Sequence, residues 1–213
     1  VMAVDLEQYS FETGSTALIR PTEGTILKRL PPRMNIRRGA ALDLPHILLL
    51  VDDPKRILIE PLFAARNTLE QVYDFDLLQN GGHITGWHVP ENHMESIATA
   101  LEELARSGLL FAVGDGNHSL AAAKQLWEEK KSQGAAPDHP ARWALVEVEN
   151  IHDEGLPFHP IHRLLFNVEM SHLKHAMEQR LGGVFRPGDG TARQEGARHS
   201  LGYVFPSGKG NFV

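Results

Sequence analysis

The chain reads as an α+β protein, a mixed β-sheet with helices packed on it, and three observations carry that expectation. Two short apolar runs, His46-Ile-Leu-Leu-Leu-Val51 and Leu109-Leu-Phe-Ala-Val113, lack polar alternation, as strands covered on both faces do. Between them Met94, Ile97, Ala98, Leu101, Leu104 and Ala105 recur at spacings that gather them on one face of a helix. Strand-like and helix-like segments are interleaved without a strict strand-helix-strand rhythm, which points to a mixed rather than a doubly wound parallel sheet.

From the N-terminus, residues 4–9 and 16–19 are β-favouring runs separated by Gly14. Residues 25–30 are helical in composition and are expected to stop at Pro31-Pro32, because proline lacks an amide donor and restricts the residue before it. The strand at 46–51 ends at Asp52-Asp53-Pro54, and residues 69–79 and 83–89 are the arms of a hairpin around Asn80-Gly81-Gly82. A helix over 90–108 stops at Gly108, a strand follows at 109–113, and residues 119–131 form the next helix. Residues 143–148 are a strand, 150–160 are turn-rich and 161–166 extended. Met170, Leu173, Met177 and Leu181 mark a last helix closed by Gly182-Gly183, before a glycine-rich loop at 186–196 and a strand at 200–205. The Gly- and Pro-rich stretch at 134–140 is too short for a domain linker, so a single α+β domain over residues 1–213 is expected.

Composition narrows the function classes. The chain has 21 basic and 27 acidic residues, a formal charge of −6, and no basic block, which argues against nucleic acid as a partner because such binding rests on clustered cations. Cysteine is absent, which removes disulfides, thiolate nucleophiles and cysteine-ligated zinc. The apolar runs are too short to span a bilayer and no charged-then-apolar signal opens the sequence, so a cytoplasmic protein with no membrane partner is expected.

The densest local signal is Gly114-Asp115-Gly116-Asn117-His118-Ser119, set between the apolar run at 109–113 and the alanine-rich segment after it. A strand entering a glycine turn and leaving as a helix aims unpaired amides and the positive end of the helix dipole at one point, where an anion such as phosphate is stabilised. Gly116 can take a positive φ, His118 adds a group that titrates near neutrality, and Asp115 can hold Mg²⁺ or accept a hydroxyl proton. The plainer reading is a strand-to-helix connection capped by Asn117 or Ser119. Gly114-x-Gly116-x-x-Ser119 lacks the third small residue of a dinucleotide fingerprint, and the stretch from Gly202 to Lys209 has one residue too many for a Walker A loop.

Twelve histidines invite a metal reading that their spacings discourage. His83 and His88, like His159 and His162, are an odd number apart and fall on opposite faces of a strand. His172 and His175 sit at i, i+3 on the polar face of the last helix, and no HExxH is present, so no metal ligand set is assigned. Arg163, after Pro160-Ile161-His162, offers a fixed fork for phosphate or carboxylate. Asp52-Asp53-Pro54 reads as a turn, or as carboxylates presented to a cation at the end of a strand. Lys124, Glu128, Glu129, Lys130 and Lys131 read as a solvated helix face.

The chain resembles a bacterial family known as domain of unknown function 1015. The strings that carry the likeness are Ser15-Thr-Ala-Leu-Ile-Arg20-Pro-Thr-Glu-Gly-Thr25, Leu44-Pro-His-Ile47 through Pro54, Tyr73-Asp-Phe-Asp76, Gly81-Gly-His-Ile84, Val113 through Ser119, and Pro160-Ile-His-Arg163. Chains of that family are longer at both ends, so the resemblance implies that this sequence is part of a longer one. The turn is also similar to one in the ParB/sulfiredoxin-like fold, whose members include a free-serine kinase and nucleotide-binding partition proteins. Those proteins carry an Asp-Gly-His-His-Arg turn that binds a nucleotide phosphate. Asp115, Gly116 and His118 match it, whereas Asn117 and Ser119 depart, and without an arginine at 119 the phosphate charge would fall to Arg163 or Arg20.

The leading expectation is an enzyme that takes a phosphate-bearing small molecule, a nucleotide with Mg²⁺, and transfers a phosphoryl group. In it Gly114, Gly116, Asn117 and Ser119 shape and bind the anion site, while Asp115, His118 and Arg163 act on the ligand. Two alternatives stay open: a non-catalytic ligand-binding or regulatory domain, and a metal-dependent hydrolase using Asp52, Asp53, Asp115 and His118.

Overall fold

The computed structural model describes residues 1–44, 46–157, 162–187, 200–206 and 208–212. Residues 1–157 and 158–213 are two compact units, a division the sequence did not announce. The first contains β1 (Met2–Asp5), β2 (Ile19–Pro21), α1 (Leu30–Arg37), β3 (Leu48–Val51), α2 (Glu60–Ala64), β4 (Glu70–Asp76), β5 (His83–His88), α3 (Met94–Ala105), β6 (Phe111–Asp115), α4 (Asn117–Ser132) and β7 (Trp143–Asn150). The second contains α5 (Met170–Leu181), β8 (Phe185–Pro187), β9 (Leu201–Phe205) and β10 (Gly208–Phe212).

Five strands of the first unit form a sheet in the order β1-β7-β3-β6-β2. The β1/β7 and β3/β6 pairs are antiparallel and the β7/β3 and β6/β2 pairs parallel, so the sheet is mixed and the class is α+β. One face makes the core. Leu49, Val51, Phe111, Val113, Ala144 and Val146 are buried there with Leu30 and Met34 of α1, Ala100 of α3, and Leu120, Ala121 and Trp127 of α4. The other face carries Leu48, Leu50, Leu145, Glu147 and Glu149, none of them fully buried. The expectation that 46–51 is covered on both faces is therefore corrected: β3 alternates between buried and half-buried residues. Its polar neighbours lie one strand away on β7, where burial, aided by Glu147 and Asp153, raises the Glu149 pKa.

Polar contacts fasten the helical layer to the sheet. Trp127, buried in the core, donates its indole N–H to Glu7 at 2.5 Å, and Lys131 pairs with the same carboxylate at 2.8 Å. These bonds hold Glu7 below its ordinary pKa, with Lys131 the larger cause. Arg142 grips Asp5 through Nε at 2.8 Å and Nη2 at 2.6 Å, a two-pronged pairing that lowers the Asp5 pKa. The charged face of α4 includes an i, i+4 pair, Lys124–Glu128 at 2.6 Å.

Several boundaries move. Pro31 and Pro32 open α1 instead of ending a helix, because first-turn amides have no intrahelical acceptor and proline forfeits nothing there. The strand expected at 4–9 becomes β1 followed by a 3₁₀ turn at Leu6–Gln8. The hairpin forms as β4 and β5, but its connection includes a 3₁₀ turn at Leu78–Asn80 with Gln79 and Asn80 at positive φ, longer than the tight glycine turn expected. Its ladder places the Tyr73 ring against Gly86, where any Cβ would clash. On its exposed polar face His83 touches Asp76 at 2.7 Å and also Asp74, and the two bonds raise the His83 pKa.

In the second unit β8, β10 and β9 form an antiparallel sheet, with Phe185 packed against Tyr203 and Phe212. Arg186 and Pro187 belong to β8 and not to a loop, and β10 has no counterpart in the sequence reading. The rest of the expected 186–196 loop, with His159 and Pro160-Ile161, lies outside the described residues. No helix among the described residues is long and apolar enough to cross a membrane.

Candidate functional site

β6 ends at Asp115, two residues beyond the apolar run that announced it, and α4 begins at Asn117. Gly114 is skipped by a bulge in the β3/β6 ladder, where Leu48 pairs with Asp115 and Leu49 with Val113. A Cβ on Gly114 would lie 2.9 Å from the Leu50 side chain. Gly116, the helix cap, has φ +77°, and a Cβ there would meet the His46 carbonyl at 2.5 Å and Ile47 Cα at 3.0 Å. The turn is glycine for two reasons: its backbone is left-handed, and another backbone runs against it.

The amides divide into used and free. Gly116 N–H donates to Asp115 Oδ1 at 2.7 Å, and the Ser119 and Leu120 amides both donate to the Gly116 carbonyl at 2.9 Å. No side chain caps the helix, and the amides of Asn117 and His118 have no hydrogen-bond partner among the described residues. Of the amides from Gly116 to Ser119, two are thus left unpaired among the described residues, since the tight turn draws the outer donors inward.

Asn117 is corrected in role. Its side chain is buried, accepting from the Tyr9 hydroxyl at 2.7 Å and donating to Thr25 Oγ1 at 2.8 Å, so that side chain is not available to a ligand. Burial pushes the Tyr9 pKa up, keeping the phenol a donor. His118 Nε2 accepts from the Ile26 amide at 3.1 Å, which places the proton of the neutral ring on Nδ1. With Thr22 Oγ1 donating to the Val113 carbonyl at 2.8 Å, residues 22–26 are bound along the turn. Asp115 remains exposed, one oxygen spent on Gly116.

The cations fall elsewhere. Arg20 donates to the Ser15 and Gly108 carbonyls, toward the start of β6, so it does not replace the arginine missing at 119. Arg163 lies in the second unit, exposed, its Nη1 donating to the His162 carbonyl at 3.4 Å. The cation beside the first turn of α4 is Arg37, which bonds the Ser119 carbonyl and pairs with Asp43 at 2.9 Å. No local motif marks Tyr9, Thr22, Thr25, Ile26 or Arg37 as neighbours of the turn. The one signal available was that Thr22 and Thr25 belong to the 15–25 string that carried the family likeness.

Asp52 and Asp53 do not join Asp115 and His118. β3 runs antiparallel to β6 with Leu48 opposite Asp115, so Asp53 is five residues of extended chain away, roughly 3.3 Å each, at the other end of the sheet. Asp52 pairs there with His152 at 2.7 Å. Among the described residues no three His, Asp or Glu side chains are placed to hold a metal together. A cleft of about 700 Å³ lies along α4, lined by Glu7, Tyr9, Phe11, Lys124, Glu128 and others, and none of residues 114–119 lines it.

These features define an α+β protein whose mixed sheet presents a glycine strand-to-helix turn with two free amides, an exposed carboxylate and an imidazole. The family model described as "Protein of unknown function (DUF1015)" matches residues 1–212, and the chain belongs to that family. No curated protein and no solved structure matches it.

Proposed function

We propose that this protein binds a phosphate-bearing small molecule, a nucleotide with Mg²⁺, at the turn between β6 and α4, and transfers its terminal phosphoryl group to an acceptor hydroxyl. The observation that carries the reading is the pair of free amides, Asn117 and His118, at a helix start that Gly116 locks against the 46–47 backbone. The two amides and the helix dipole hold phosphate oxygens, and the His118 Nδ1–H is a further donor. The second Asp115 oxygen orients Mg²⁺ or takes the acceptor's proton as the bond from phosphorus to the leaving nucleoside diphosphate breaks.

Calorimetric titration with ATP, ADP and CTP, each with Mg²⁺, tests binding, and release of nucleoside diphosphate tests transfer. Binding is expected, weakened at least tenfold in His118→Ala; Asp115→Asn should lose transfer while keeping its acceptor for the Gly116 amide. The absence of heat with all three nucleotides would overturn the reading. A ligand-binding domain without turnover is the second reading, favoured by the commitment of Arg20 and Arg37 to carbonyls and to Asp43. Binding without release of diphosphate would select it.

A further inference from the structure

At the end of the sheet opposite the turn, three polar residues are packed together. Asp53 and Asn150 are 1% and 3% exposed, and their backbone and side chain interlock: Asp53 N–H donates to Asn150 Oδ1 at 3.3 Å and Asn150 Nδ2 donates to the Asp53 carbonyl at 2.9 Å. The same Nδ2 also donates to Glu60 Oε1 at 2.8 Å. Asp53 Oδ2 accepts from the Ile57 and Leu58 amides at 2.7 and 2.9 Å, closing a loop in which Arg56 takes a φ of +56°. The remaining oxygens, Asp53 Oδ1 and Glu60 Oε2, are buried and have no hydrogen-bond partner.

Asp53 and Glu60 are both tied to the Asn150 side chain, Asp53 through its backbone and Glu60 through Oε1, and each keeps a buried carboxylate oxygen that no hydrogen bond satisfies. Such groups are paired or coordinate a cation in folded proteins, since desolvation without a partner costs several kcal/mol per ion, to order of magnitude. The basic side chains of the same loop are engaged elsewhere, Lys55 with Glu103 at 2.8 Å and Arg56 with the His152 carbonyl at 3.1 Å. His152 is held by Asp52. The donors left are hard oxygens with no imidazole or thiolate among them, a set suited to Mg²⁺ or Ca²⁺, which one or two carboxylates hold with water and carbonyls completing the shell.

We propose that Asp53 and Glu60 together bind a hard divalent cation at the carboxyl end of β3, a site separate from the β6–α4 turn. The ion ties the strand end to the 53–60 loop and through Asn150 to β7. It does not depend on nucleotide binding, and the two are tested apart.

Chelator-treated protein is melted in buffer alone and with MgCl₂, CaCl₂, MnCl₂ or KCl at matched ionic strength, and titrated calorimetrically with the divalent salts. The expected result is a rise in Tm of about 5–10 °C at a hundredfold excess over Kd, for a divalent salt and not for potassium. Asp53→Asn and Glu60→Gln keep the oxygens that accept the Ile57, Leu58 and Asn150 bonds, so each should fold, lose the cation response and melt in chelator no lower than the parent. If Asp53→Asn fails to fold, Glu60→Gln alone decides. No divalent response in the parent, an equal rise with potassium, or a response that survives in both variants would overturn the site; a shared proton would give the first of these, with stability rising on acidification instead.

Discussion

Alanine in place of Gly116 puts one methyl group where φ is +77° and where the His46 carbonyl would be 2.5 Å away and Ile47 Cα 3.0 Å. The left-handed conformation costs an L-residue about 1–2 kcal/mol. The overlap adds to it, because both neighbours are backbone and neither can rotate aside, and relieving such overpacking costs about 1–3 kcal/mol. The sum, about 2–5 kcal/mol, is a large part of the ~5–15 kcal/mol that a typical domain has in reserve. Gly134, just beyond the other end of α4, is the matched control: its φ is +89°, yet nothing lies within 4 Å of a Cβ there. Gly134→Ala should incur the conformational cost alone, and the entropy lost by the unfolded chain is common to both variants and cancels. Urea unfolding of the three proteins, fitted with one m-value, should rank Gly116→Ala below Gly134→Ala by about 1–3 kcal/mol. Equal losses would refute the claim that the 46–47 backbone closes over the turn.

Asn117→Ala should destabilise by about 1–3 kcal/mol in the same assay, because it leaves the buried Tyr9 hydroxyl without its acceptor. Asp5 and Glu7, held below their ordinary values by Arg142 and by Lys131 with Trp127, contribute stability above their unfolded pKa values and lose it as pH falls through the lower folded ones. Melting curves below about pH 4.5 should therefore fall less steeply in an Asp5→Asn, Glu7→Gln double variant than in the parent. Glu149 has the opposite sign: its raised pKa means that stability declines as pH climbs through it, so Glu149→Gln should melt higher than the parent at pH 7, with the gap closing toward pH 4.

Much of the fold was legible because local chemistry specified it. Apolar runs marked β3 and β6, the spacing of Met94 to Ala105 marked α3, and the polar hexapeptide at 114–119 marked the junction of β6 with α4. What failed locally failed for a nameable reason. Pro31-Pro32 are breakers inside a helix and openers at its first turn, and which applies depends on where Leu30 is buried. The bare apolar character of 46–51 did not say how completely the second face of the sheet is covered.

The candidate site shows the same division more sharply. Residue types at 114–119 announced a glycine turn before a helix, since the φ freedom of glycine and the donors of a helix start are properties of the chain itself. Which amides stay free was decided in three dimensions: Asp115 turns onto Gly116, and Asn117 is drawn inward by Tyr9 and Thr25, residues some ninety positions or more away in sequence. The antiparallel pairing of β3 with β6 then set Asp53 and Asp115 at opposite ends of the sheet, and the parallel pairing of β3 with β7 put Asn150 where it bonds both the Asp53 backbone and Glu60. Strand and helix propensities act over a few residues and can be read along the chain, whereas strand order and direction arise from burying apolar faces held by distant segments, and only the packed sheet determines which polar groups meet.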